Sequence, residues 1–129
     1  MSEENVEIVR RMYEAFGRGD FEKSLACFSP DVVIDARHRV DGRVGQGRDE
    51  MVAIFSEWME TWDEWREEIE EISEAGDRVL VISTQRGRGK GSGLDWENRF
   101  WMLYEIQNDV ISRWTVYDDP AAALEAAGR

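Results

Sequence analysis

The chain is poor in residues that could hold a metal ion or form a disulfide. Its 129 residues include one cysteine, Cys27, and one histidine, His38. A single cysteine excludes an internal disulfide, and one cysteine with one histidine cannot supply a transition-metal cluster. We therefore expect no metal and no other cofactor. Cys27, which lies between Ala26 and Phe28, is expected to be a small buried side chain.

Long apolar runs, linkers and an excess of positive charge are also missing. No apolar stretch approaches the ~20 residues of a membrane-spanning helix, and the acidic N-terminus lacks a signal-peptide core. No proline- or serine-rich linker divides the chain. The net charge of −12 argues against nucleic acids and anionic membranes as partners. We expect a single domain over residues 1–129 in the cytoplasm.

Apolar residues are plentiful and recur at helical spacing in the first 30 residues. A hydrophobic content of 42 % with six Trp and five Phe is sufficient for a packed interior. Ser2 and Asp20 are suitable N-caps, and Gly17 or Gly19 can end the first helix in a left-handed conformation. The sequence therefore predicts a helix from Ser2 and a second, short helix after Asp20 that Pro30 stops.

A third helix is predicted to open near Gly47. Its apolar stripe has the clearest helical periodicity in the chain and consists of Met51, Phe55, Trp58, Trp62 and Trp65. Periodicity alone extends this helix to about Ile72.

Short β-branched and alternating segments predict the strands. Asp41-Gly42 is a strong hairpin signal between residues 37–40 and 43–46. Other strands are predicted over residues 31–35, 79–86, 95–106 and 110–117, with turns at 75–77 and 107–109. The glycine-rich segment 87–93 lacks the spacing of a phosphate-binding loop, so it is interpreted as a hairpin connection. A short tail helix is predicted to end at Gly128, and the sequence Asp118-Asp119-Pro120 is expected to cap and start it.

The segment from Met12 to Asp35 joins a helix end, a Gly-x-Gly-Asp turn, a short helix and a Pro-Asp pair before a Val/Ile strand. This order resembles the opening of the nuclear transport factor 2-like superfamily, which includes SnoaL-like polyketide cyclases and ketosteroid isomerases. The resemblance implies an α+β, ketosteroid isomerase-like roll. In it, a cone-shaped, curved and mostly antiparallel sheet carries three N-terminal-half helices over its concave face. It also implies a strand over residues 67–73, which we favour because the apolar run 79–82 needs an antiparallel neighbour.

The same resemblance assigns residues to the two faces of the sheet. Strand parity then predicts a concave, pocket-lining set of Trp96, Asn98, Phe100, Met102, Tyr104, Arg113, Thr115 and Tyr117. The convex set, expected to form a homodimer interface, is Trp101, Leu103, Trp114 and Val116.

The ketosteroid isomerase catalytic set is not carried by this chain. The position that matches its helix-one tyrosine holds Met12, with Tyr13 one residue later. The position of its catalytic aspartate holds Ala36, with Asp35 one residue earlier, and the position of its protonated aspartate holds Met102. Steroid isomerisation needs a carboxylate base and an acid donor, so we do not expect that reaction.

His38 is the remaining candidate for catalysis. It shares strand parity with Ala36 and Ile34, which would turn it toward the cavity mouth, and histidine suits proton transfer near neutral pH. The alternative is a structural histidine at a hairpin. Arg113, as a cation among aromatic side chains, needs a partner. That partner could be Asn98, Asp35, a carboxylate from a helix or an anionic ligand.

Two functional hypotheses remain open from the sequence. The first is a SnoaL-like, cofactor-free isomerase or cyclase that acts on a hydrophobic, ring-bearing small molecule. Its catalytic residue would be His38, and its candidate binding residues are Tyr13, Trp58, Trp62, Asn98, Met102, Arg113 and Tyr117. Trp58 and Trp62 could equally belong to the core. The second hypothesis is a non-catalytic ligand-binding or protein-interaction domain of the same fold.

Overall fold

A computed structural model describes residues 2–38 and 42–128 and shows a mixed α+β fold. Its elements are α1 (Ser2–Gly17), α2 (Phe21–Ala26), β1 (Phe28–His38), β2 (Val44–Gln46), α3 (Arg48–Glu60), β3 (Trp62–Ala75), β4 (Arg78–Gly89), β5 (Asp95–Gln107), β6 (Val110–Tyr117) and α4 (Pro120–Ala126). The strands form one curved, unclosed sheet in the order β2-β1-β6-β5-β4-β3. Only the β1–β6 pair among these strands is parallel. The predicted fold class is confirmed.

Local capping signals explain where the short helices begin. The side chain of Asp20 accepts a hydrogen bond from the backbone N–H of Lys23, at 3.2 Å, and so caps α2. Gly19, with φ +82°, allows the chain to reverse between α1 and α2. Asp119 caps α4 in the same way by accepting from the N–H of Ala121, at 3.2 Å. These predictions are confirmed.

The boundary between α3 and β3 lies earlier in the chain than the helical periodicity predicts. The strand predicted over residues 67–73 is confirmed, but it begins earlier, at Trp62. Trp62 and Trp65 therefore belong to β3, and their assignment to the stripe of the third helix is wrong. The pairing explains this outcome, because β3 is hydrogen-bonded along β4 from Trp62, opposite Gly89, to Ala75, opposite Arg78. An extended antiparallel ladder satisfies the backbone of these residues and overrides their helical spacing.

The strands that flank Asp41-Gly42 pair antiparallel, but residues 33–35, and not the predicted residues 37–40, lie opposite residues 44–46. β1 and β2 pair antiparallel, with Val33 opposite Gln46 and Asp35 opposite Val44. Residues 39–41, which include part of the predicted turn, lie outside the described residues.

Two apolar clusters lie on opposite faces of the sheet. The larger fills the concave face beneath α1 and α3 and includes Val9, Met12, Ile54, Phe100, Met102, Tyr104 and Val116. The smaller lies under α4 on the convex face and includes Leu80, Trp101, Leu103, Tyr117 and Ala123. None of the described helices combines the length and the apolar character needed to cross a bilayer.

The predicted faces of β6 are reversed in the structure. Val116 lies opposite Met102, and Trp114 lies opposite Tyr104. Directly opposed residues in an antiparallel pair share a face, so Trp114 and Val116 are concave. Arg113, Thr115 and Tyr117, which were expected to face the concave side, are therefore convex. The β5–β6 register shifts between Glu105 and Ile106, and a shift of one residue exchanges the two faces of a strand.

This reversal also changes the predicted dimer patch. Trp101 and Leu103 are convex, but they are only 7 % and 3 % exposed because they pack with the residues of α4. Trp114 and Val116 lie on the other face of the sheet. The four residues therefore do not form one exposed surface.

Candidate functional site

The concave face encloses a small cavity between α3 and the sheet. Its volume is about 20 Å³, and its lining includes Ile54, Phe55 and Trp58 from α3 and Gln85, Met102 and Trp114 from the sheet. Ordinary ligand sites occupy roughly 300 Å³ or more. The cavity is therefore closed to a ring-bearing molecule while α3 is in this position.

Aromatic rings fill most of the space that the fold would otherwise leave open. The ring centroid of Trp58 lies 5.9 Å from that of Phe100 and 5.5 Å from that of Trp62. Trp62 in turn stacks on Trp96 at 4.2 Å with an interplanar angle of 15°. The predicted hollow is thus a packed aromatic cluster with one small gap.

Gln85 is the polar centre of this face. It is 5 % exposed and lines the cavity. Its Oε1 accepts hydrogen bonds from the indole Nε1–H of Trp58, at 2.8 Å, and of Trp65, at 3.1 Å. Its Nε2 donates to Oε2 of Glu67 at 3.3 Å. Gln85 therefore ties α3 to the sheet and connects the cavity to a carboxyl group.

Glu67 is a half-buried glutamate on β3. The hydroxyl of Ser83 donates to its Oε2 at 2.9 Å, in addition to the amide of Gln85. Among the described residues no cation forms a salt bridge with it. Burial raises the pKa of Glu67, and the hydrogen bonds from Ser83 and Gln85 oppose that rise. The protonated form is therefore favoured more than in an ordinary glutamate.

Two tyrosines form a hydroxyl pair close to this carboxyl. The hydroxyl oxygens of Tyr13, on α1, and Tyr104, on β5, lie 2.5 Å apart. Each hydroxyl also lies near Sδ of Met102, at 3.4 and 3.6 Å. Burial raises the pKa of both phenols well above the ordinary value, and the negative charge of Glu67 adds to the rise. Both phenols are therefore neutral, and because one hydroxyl donates to the other, one O–H hydrogen of the pair is not used between them.

His38 lies on the convex side, so the expectation that it faces the cavity mouth is wrong. Its ring stacks on that of Tyr117 with centroids 4.5 Å apart and an interplanar angle of 19°. Asp35 lies opposite Thr115, and His38 lies opposite Tyr117. Between these paired positions β1 has two residues and β6 has one. The extra residue is a bulge that turns His38 to the other face.

Arg113 and Asp35 form an ion pair on the same convex face. Nη2 of Arg113 donates to Oδ2 of Asp35 at 2.7 Å, and Arg37 donates to both carboxylate oxygens, at 3.0 and 2.8 Å. These bonds, led by the one from the Arg37 side chain, hold the pKa of Asp35 well below its usual range, against the effect of burial. Of the partners considered for Arg113, the structure shows Asp35.

The candidate binding residues are divided between the two faces. Trp58 and Met102 line the cavity, Tyr13 lies beside Met102, and Trp62 and Asn98 lie on the concave face outside the cavity lining. Arg113 and Tyr117 are convex.

Four residues of this site were not predicted from the sequence: Glu67, Ser83, Gln85 and Trp114. A usable signal was present in β3, where Trp65, Glu67 and Ile69 occupy every second position and therefore share the inward face. A carboxyl in the inward register of an amphipathic strand is unusual enough to mark a site.

A wider depression beside α1 does not have the character of such a site. It measures about 530 Å³ and is lined by Glu4, Glu7, Ile8, Arg11 and Asp109. Of these only Ile8 is buried, and the others are exposed charged side chains. This depression is an open part of the surface.

The concave aromatic site, the curved sheet and the covering helices define an α+β protein of the nuclear transport factor 2-like class. Residues 9–114 match the SnoaL-like domain model, and the chain belongs to that family. The recognition made from the sequence is confirmed.

Individual relatives agree with this assignment. An uncharacterized protein of Mycobacterium tuberculosis is 30 % identical over 121 residues, which are 92 % of each chain. An NTF2-like protein of unknown function from Burkholderia pseudomallei has a TM-score of 0.75 at 25 % identity, over 98 % of both chains. A candidate polyketide cyclase from Xanthomonas campestris has a TM-score of 0.70 at 22 % identity, also over 98 % of both chains.

Proposed function

We propose that this SnoaL-like domain binds an apolar, ring-bearing small molecule between α3 and the concave face, and that Glu67 exchanges a proton with it. The observation that carries the proposal is the environment of Glu67. Glu67 is half-buried, its carboxyl has a raised pKa and no cationic partner among the described residues, and it accepts a hydrogen bond from the cavity-lining Gln85. Perturbed carboxyls on apolar faces are typical of acid–base sites.

The chemistry follows from the groups that surround this carboxyl. Because its pKa is raised, the carboxylate of Glu67 is a stronger base than that of an ordinary glutamate. The Tyr13–Tyr104 pair can supply one neutral O–H donor, which suits developing negative charge on a ligand oxygen. This arrangement supports an isomerase or cyclase reaction without a cofactor and assigns the proton transfer to Glu67 instead of His38.

Ligand entry requires α3 to move. Its residues Ile54, Phe55 and Trp58 form one wall of the closed cavity, and the hydrogen bond from Trp58 to Gln85 holds that wall against the sheet. A ligand that separates α3 from the sheet must break this bond. Such a rearrangement on binding is common among proteins with flexible covers.

The second candidate function is a non-catalytic interaction domain. The observation that favours it is the cavity volume of about 20 Å³, because a permanently filled concave face leaves no room for a substrate. The two functions differ in whether an uncharged aromatic compound enters beneath α3.

Binding of N-phenyl-1-naphthylamine, an uncharged fluorescent ring compound, tests the proposal. We expect wild type to bind it with enhanced fluorescence. Ile54 forms part of the cavity wall and is 4 % exposed. The larger side chain in Ile54→Trp should therefore weaken binding by about tenfold or more. Val52→Trp adds the same side chain on the same helix at a position 45 % exposed and should bind as wild type does.

Circular dichroism of both variants establishes that they are folded. Equal binding by the two variants would place the compound elsewhere and contradict the proposed site. A failure of folded wild type to bind it would favour the interaction domain.

A further inference from the structure

Trp114 presents a buried donor that the protein itself leaves without a partner. Its indole Nε1 is inaccessible to solvent and has no hydrogen-bond partner among residues 2–38 and 42–128. The side chain lines the cavity beneath α3. A buried N–H of this kind is unfavourable unless an acceptor reaches it, so native proteins seldom retain one without a reason.

The ring of Trp114 is held in place by aromatic neighbours. It stacks on Tyr104 with centroids 5.8 Å apart, and it also contacts Phe55 at 6.1 Å and Phe28 at 6.2 Å. Because these contacts fix the ring, the N–H cannot readily turn to find an acceptor. The donor is therefore preorganised for a group that arrives from outside the chain.

The other polar groups of the site restrict the charge of a ligand that reaches the Trp114 donor. Gln85 Oε1 already accepts two indole N–H groups, and its Nε2 donates to Glu67. Among the described residues that line the cavity there is no arginine or lysine, and Arg113 is paired on the opposite face. An anionic ligand would therefore be buried beside a carboxyl group without a compensating cation, which is strongly unfavourable.

We infer that Trp114 determines the specificity of the site by donating its indole N–H to an acceptor oxygen of an uncharged, ring-bearing ligand. A carbonyl or ether oxygen satisfies this donor, whereas a carboxylate is excluded by charge. This inference rests on the proposed function and adds the chemical class of the ligand.

Three one-ring probes of nearly equal shape test the inference. Acetophenone carries a carbonyl oxygen, α-methylstyrene replaces that oxygen with a methylene group, and benzoate is anionic. Their binding can be followed through the indole N–H signals of the six tryptophans in proton–nitrogen NMR spectra. Trp114→Phe assigns the signal of interest and removes the donor while it keeps an aromatic ring.

Trp101→Phe is the matched control. Trp101 lies on the convex face, where it packs with the residues of α4, and it is not among the described residues that line the cavity. We expect wild type and Trp101→Phe to bind acetophenone about tenfold more tightly than α-methylstyrene, with benzoate the weakest. Acetophenone should move the Trp114 indole proton downfield, and Trp114→Phe should lose the preference for acetophenone.

The outcomes separate the inference from the proposed function. Equal affinity of wild type for acetophenone and α-methylstyrene would overturn the inferred role of Trp114 but would agree with an apolar binding site. Tightest binding of benzoate, or a preference for acetophenone that survives in Trp114→Phe, would also overturn the inference. Failure of all three probes to bind folded wild type would overturn the inference and the proposed function together.

Discussion

Replacing Asp35 by alanine is expected to lower the free energy of unfolding by about 3 kcal/mol at pH 7. Asp35 is 2 % exposed, and its carboxylate accepts hydrogen bonds from Arg113 and from the side chain and backbone N–H of Arg37. Its loss removes the link between β1 and β6 on the convex face and leaves two arginines without their shared partner. Urea denaturation followed by tryptophan fluorescence measures the difference.

Asp31→Ala provides the control for this effect. Asp31 lies on the same strand but is exposed, so its replacement should change stability by no more than about 0.5 kcal/mol. Equal stability of the Asp35→Ala and Asp31→Ala variants would show that the ion pair has no structural role.

The stability that Asp35 contributes is expected to decrease at low pH. The folded protein holds the pKa of Asp35 well below its usual range, chiefly through the hydrogen bond from Arg37. A carboxyl with a lowered pKa contributes stability above its unfolded pKa, which is about 3.9, and loses that contribution as the pH falls toward the folded pKa. The stability difference between wild type and Asp35→Ala should therefore be constant at neutral pH and decrease below about pH 4.

Replacing Glu67 by glutamine is expected to abolish proton exchange with a ring ketone. In heavy water, the Glu67 carboxylate would remove an α-proton from 2-tetralone to form the enolate, and a deuteron from solvent would then return to that carbon. Proton NMR measures the loss of the α-proton signal. We expect the catalysed rate to fall by about 100-fold or more in Glu67→Gln, which keeps the size of the side chain but cannot accept the proton.

Glu68→Gln is the matched control on the same strand. Glu68 is the next residue of β3, is exposed and pairs with Arg86, so its replacement should leave the exchange rate unchanged. The wild-type rate should rise as the pH increases through the raised pKa of Glu67, since only the carboxylate can act as the base. Exchange that continues at the wild-type rate in Glu67→Gln would show that another group carries the proton.

The sequence was sufficient to predict the elements whose ends depend on local chemistry. Asp20 and Asp119 cap helices, and both were predicted from residue type and position. The turn between β5 and β6 was also predicted, and Asn108 and Asp109 adopt φ values of 52° and 64° there. Asn and Asp tolerate this conformation better than most residues, which is why such turns can be recognised from sequence.

The faces of the site could not be predicted because they depend on irregularities in the sheet. One extra residue of β1 turns His38 away from the concave side. The register shift between β5 and β6 places Trp114, and not Arg113, on the concave face. Strand parity assumes a regular alternation, which a bulge interrupts without a distinctive residue pattern. Glu67 was missed for a different reason, since residues 67–73 were predicted as a strand but were not assigned to either face of the sheet.

The central claim is that a small molecule binds between α3 and the concave face, next to Gln85 and Glu67. A crystal structure of the protein with N-phenyl-1-naphthylamine tests it most directly. The expected result is the compound between α3 and the sheet, with the hydrogen bond from Trp58 to Gln85 broken. A compound bound instead beside His38 and Tyr117 on the convex face, with α3 unmoved, would contradict the claim.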